Sequence, residues 1–79
     1  MENVTASSAA AVKQAIDNAG RTIRSVSDQT GIPYSTLNRK LDAKSEFRFS
    51  ELLLIAEDLG VSPSDFIPAA FHPASAAAA

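Results

Sequence analysis

Apolar positions recur along the chain at three- and four-residue spacings, and glycine and proline cut the pattern into short pieces. Val12, Ile16 and Ala19 fall at i, i+4 and i+7, one face of a helix over about 8–19. Thr5, Ser7 and Ser8 are available as its cap, and Gly20 suits its left-handed end. Thr22 caps a second short helix reaching about Thr30, with Ile23, Val26, Ser27 and Thr30 on its inner face and Gly31 after it. Pro33 opens a third helix that runs to about Asp42 and stacks Leu37 on Leu41. Residues 43–48 carry no period and read as a loop. Ser50 is the expected cap of a fourth helix, with Phe49 packing back on its first turn and Leu52, Ile55, Ala56 and Leu59 as its buried stripe, ending at Gly60. Ser62-Pro63-Ser64-Asp65 combines a cap, proline at the first position and an acid at the third, and starts a fifth short helix over about 63–68 carrying Phe66 and Ile67. No window alternates with period two. The expectation is an all-α domain of five helices over residues 1–70, followed by an alanine-rich tail over 71–79.

Composition narrows the function classes. Seventy-nine residues make one small domain with little room for a deep substrate pocket. Apolar residues are 46% of the chain, too many for a solvating disordered polymer. The longest apolar run is Leu52–Ala56, far below the roughly 18 residues that span a bilayer, and no secretory leader is expected from Met-Glu-Asn-Val-Thr. There are no cysteines, and His72 is the only histidine. Disulfides, thiolate metal sites and cysteine nucleophiles are therefore excluded, and a reducing cytosol fits. No glycine-rich phosphate loop or nucleophile elbow is present, so neither an enzyme nor a cofactor is expected.

The net charge of −2 hides a segregation. Residues 21–48 hold Arg21, Arg24, Arg39, Lys40, Lys44 and Arg48 against Asp28, Asp42 and Glu46, a net +3. Residues 49–79 hold Glu51, Glu57, Asp58 and Asp65 with no base. Such a field steers a polyanion to one face.

Residues 22–42 have helix-turn-helix proportions: a helix of about eight residues, a glycine-containing turn of about three, and a second helix of about ten. A small residue at Ser27 lets the two helices cross closely. Gly31 takes a positive φ, Ile32 plugs the gap beneath the turn, and Leu37 anchors the second helix.

The stretch from Thr22 to Leu41 resembles the helix-turn-helix of the phage repressor/Cro-like DNA-binding domains. The segment from Phe49 to Ile67 is similar to that family's fourth helix and its Leu-Gly-Val-Ser step into the fifth. The resemblance covers about residues 8–68. Ser27, Ile23 and Leu41 depart from it, standing where alanine, a polar phosphate-facing residue and glutamate are common.

The resemblance implies a compact, lambda-repressor-like DNA-binding fold, with the helix over about 33–42 entering the major groove of a double-stranded operator. Side-chain chemistry then assigns Tyr34, Ser35, Asn38 and Arg39 to base edges, with Arg39 suited to a bidentate contact with guanine. Arg21, Thr22, Thr36, Lys40, Lys44 and Arg48 fall to the DNA backbone. Asp42 opposes phosphate on this face or holds Arg39 in place. The family implies a cytoplasmic regulator in a bacterial cell or phage-infected host, commonly a homodimer. Leu53, Leu54, Phe66, Ile67 and Phe71 are the candidates for a self-association patch, with half-sites about 34 Å apart. Two other readings stay open: a protein-interaction module on the same fold without DNA binding, and a DNA-binding antitoxin-type regulator.

Overall fold

The computed structural model describes residues 4–67, and every regular element among them is helical. The elements are α1 (Val4–Asn18), α2 (Ile23–Thr30), α3 (Tyr34–Leu41), α4 (Phe49–Leu59) and one 3-10 turn (Pro63–Phe66). Phe71, His72 and the expected tail lie outside the described residues.

α1 starts at Val4, earlier than the expected 8, because nothing from Val4 to Ser8 breaks a helix. Ser8 therefore sits inside the helix rather than at its cap. Its buried hydroxyl donates to the Phe66 carbonyl at 2.8 Å, fastening α1 to the 3-10 turn. The expected fifth helix is only that turn. Ser62 caps it, accepting from the Ser64 N–H at 3.3 Å.

The start of α4 also differs. Arg48 rather than Ser50 occupies the cap position, and Glu51 reaches back to accept the Arg48 N–H at 2.7 Å. Phe49 does not pack back; it is 61% exposed. Phe47, in the segment read as featureless loop, packs against the core in its place.

The core joins Val12 and Ile16 of α1, Val26 of α2, Ile32 of the turn, Leu37 and Leu41 of α3, Leu52, Ile55 and Ala56 of α4, and Phe66. α2 packs on both α3 and α4, and α1 crosses α3 and the 3-10 turn. α3 is thus anchored along one side by Leu37 and Leu41, which leaves the opposite side to solvent.

Candidate nucleic-acid interface

Local chemistry builds the helix-turn-helix. Thr22 caps α2 with its hydroxyl accepting the Ser25 N–H at 3.0 Å, and the Ser25 hydroxyl accepts the Thr22 N–H at 3.2 Å. These bonds satisfy two amide donors that a helix start otherwise leaves open. Gly31 ends α2 at φ +82° and donates to the Ser27 carbonyl. A Cβ at this position would meet nothing within 4 Å, so glycine is needed for the dihedral and not for space. Ser27 does more than keep the crossing small. Its buried hydroxyl donates to the Ile32 carbonyl at 2.6 Å, supplying a partner that the tight turn denies that group. Thr30 accepts the Ile32 N–H at 3.3 Å from the same turn.

α3 follows with Pro33 at its cap and no side-chain cap bond. Its eight residues span about 12 Å. Tyr34, Ser35 and Arg39 are exposed, and Thr36 and Asn38 are half-buried. Thr36, Arg39, Lys40 and Ser45 line a shallow groove between α3 and the following loop. Thr22, Lys44 and Arg48 are exposed beyond the helix.

Two of the expected phosphate-binding cations are committed elsewhere. Lys40 is buried, and its ammonium donates to both Glu51 carboxylate oxygens at 2.5 and 2.6 Å. The expected backbone contact fails for Lys40 because the Glu51 carboxylate, in the first turn of α4, draws its ammonium inward. Arg21 makes a two-pronged ion pair with Asp58 at 3.0 and 3.3 Å, and its Nε donates to Ser25 at 3.1 Å. Both side chains tie α4 to the helix-turn-helix, Lys40 from a buried position and Arg21 from a half-buried one. Arg39, Lys44 and Arg48 form no ion pair among the described residues, and neither does Asp42.

Glu51 is the titrating group whose environment is most distinctive. Burial pushes its carboxyl up. The Lys40 and Arg48 hydrogen bonds and the charges of both residues outweigh that, holding it below the ordinary 4.5. The sequence did carry a signal for Glu51, an acid three residues after a cap, but the cap was sought at Ser50.

One side chain outside the predicted set also belongs to this region. The Arg24 guanidinium lies over the Tyr34 ring, 4.1 Å from its centroid. No spacing rule connects a residue in the first turn of α2 to the first residue of α3; the turn geometry does.

The expected self-association residues divide. Leu53 and Leu54 are 41% and 44% exposed, Ile67 is half-buried, and Phe66 is 1% exposed. Phe66 is therefore a core residue and unavailable to a partner.

Two short helices crossing over a glycine turn, with a polar helix face left outward, define a helix-turn-helix DNA-binding domain. A family model described as the Cro/C1-type HTH DNA-binding domain matches residues 12–69, most of the chain, and the chain belongs to that family. No curated protein and no solved structure gave a significant match. Among the described residues, no helix is long and apolar enough to cross a membrane.

Proposed function

We propose that the chain is a sequence-specific transcriptional regulator of the repressor/Cro kind that lays α3 in the major groove of its operator. The observation that carries this reading is the outward row on α3: Tyr34, Ser35, Asn38 and Arg39 on a helix whose other side is held by Leu37, Lys40 and Leu41. A 12 Å helix fits a groove about 12 Å wide. In this reading Arg39 takes a guanine edge, Asn38 an adenine edge, and Ser35 either. Thr22, Thr36, Lys44 and Arg48 take phosphates, while Arg21 and Lys40 leave that set because acids within the fold already hold them. Two copies pair on DNA through α4, where Leu53 and Leu54 are joined by the exposed Phe49.

The test is a fluorescence-anisotropy titration of random-sequence duplex at two salt concentrations, followed by selection from a random pool. Affinity is expected to fall with a log–log slope near −0.9 per phosphate neutralised. Arg39→Ala is expected to lose about 1–3 kcal/mol on the selected sequence and to flatten preference at one base pair. Lys44→Ala is expected to weaken all sequences alike and reduce the slope by about one. A chain that binds no duplex at low salt leaves the protein-interaction module as the reading, with the exposed Phe49, Leu53 and Leu54 as its contact face.

A further inference from the structure

Two arginines flank the start of α2, and they are treated differently. Arg21 is spent inside the fold on Ser25 and Asp58. Arg24, three residues on, is exposed and makes no ion pair among the described residues. Its nearest sequence partner is Asp28, four residues along the same helix, where side chains of opposite charge ordinarily meet. Instead the guanidinium lies on Tyr34, 4.1 Å from the ring centroid. The stack therefore joins the first turn of α2 to the first residue of α3, the end of the helix nearest base edges in this class of domain.

A guanidinium uses its flat face for stacking and keeps its in-plane N–H fork. Among the described residues the fork of Arg24 meets no acceptor, and the ring beneath restricts its orientation before any ligand arrives. A pre-oriented fork suits a planar pair of acceptors: two oxygens of a phosphodiester, or O6 and N7 of guanine. In helix-turn-helix docking the first helix crosses the DNA backbone, which favours the phosphodiester for a residue on α2.

We propose that Arg24 and Tyr34 act as one DNA-contacting unit, in which Tyr34 orients the Arg24 fork toward a phosphodiester and Arg24 fixes the ring at the tip of α3. This rests on the DNA-binding reading above. It makes Arg24 a positioning residue for the contact at Tyr34 as well as a phosphate ligand.

The test is a double-mutant cycle of Arg24→Ala, Tyr34→Ala and the pair, with Arg24→Lys alongside, on the selected and the random duplex. Both side chains are exposed, and a thermal melt of each variant checks that it folds. Each single change is expected to weaken the selected duplex about ten-fold or more. The double variant is expected to lose no more than the worse single one. Arg24→Ala is expected to reduce the salt slope by about one, and Arg24→Lys to restore the slope without restoring the coupling to Tyr34. The chain has one tyrosine and no tryptophan, so tyrosine emission reports this ring alone. The emission is expected to differ between wild type and Arg24→Ala and to change when DNA is added to wild type. An unchanged slope with loss of preference for a single guanine assigns the fork to a base and overturns the phosphodiester. Losses that simply multiply, or a silent Arg24→Ala in a wild type that binds, overturn the unit while leaving the DNA-binding reading intact. A wild type that binds no duplex overturns both.

Discussion

Ala43 shows how one residue sets a local cost. Three helix ends share a bonding pattern: Arg21 N–H to Ile16 and Gly20 N–H to Asp17, Val61 to Ala56 and Gly60 to Glu57, Lys44 to Arg39 and Ala43 to Lys40. In each, the central residue is left-handed, and in the third it is alanine, at φ +61°. A Cβ there costs roughly 1–2 kcal/mol, whereas glycine gives back about 0.4–1 kcal/mol through the freedom it adds to the unfolded chain. The first quantity wins. Ala43→Gly is expected to stabilise the fold by about 0.5–1 kcal/mol and raise the melting midpoint by a few degrees, as a thermal melt would read. The end of α3 is the place affected, so the same variant keeps its exposed residues in register. Ser27 is the opposite case. Its size was legible in the sequence, but its hydroxyl bond to Ile32 was not, because that needs the turn to bring the carbonyl of a residue five positions on within 2.6 Å.

α3 and α4 are joined by the Lys40–Glu51 ion pair, while α2 and α1 pack on α3. With side chains 9% and 15% exposed, Lys40 and Glu51 keep much of their attraction and pay much of their desolvation. Removing one partner is worse than removing both. Glu51→Gln is expected to destabilise the fold by about 1–3 kcal/mol at neutral pH, and Lys40→Met with Glu51→Leu to recover most of that loss. The Glu51 carboxyl is depressed in the folded state. Its contribution is therefore complete above the ordinary 4.5 and is lost as pH falls through the lower folded value. Wild type is expected to lose stability in that acid window more steeply than Glu51→Gln, as paired melts at pH 7 and below 4.5 would show. Equal pH dependence in the two proteins would mean that the pair contributes nothing. The period of α3 marked Leu37 and Leu41 as inward. It did not mark Lys40 as inward, and the backbone role expected of that residue fails because Glu51, eleven positions on, holds its ammonium.

On the scale of the whole molecule, the basic middle of the chain is less basic at its surface than its composition. Asp58 and Glu51 are drawn from the acidic last third and hold Arg21 and Lys40. Arg24, Arg39, Lys44 and Arg48 remain exposed. Three of the five large apolar residues exposed among the described ones sit on α4, where Phe49, Leu53 and Leu54 follow one another at four and one. If two copies meet there, Leu53→Glu with Leu54→Glu is expected to abolish cooperative binding to paired half-sites about 34 Å apart. Affinity for a single half-site should stay the same. Analytical ultracentrifugation of each complex would read the stoichiometry. Retained cooperativity would move the contact away from α4.

The sequence by itself determined the all-helical class, the glycine stops, most of the core stripes and the helix-turn-helix unit. These depend on neighbours within about four positions, where the helical period and cap chemistry act directly. Ala19, expected on the first helix's inner face, is exposed just past the end of α1. Tertiary structure alone decided which cations remain free, that Phe47 and Phe66 are inside while Phe49 is out, and that Arg24 lies on Tyr34. Each of those outcomes depends on groups that the chain separates by 10 to 58 positions or on a helix packing against another, and a periodic pattern contains no record of which element will cover which flank.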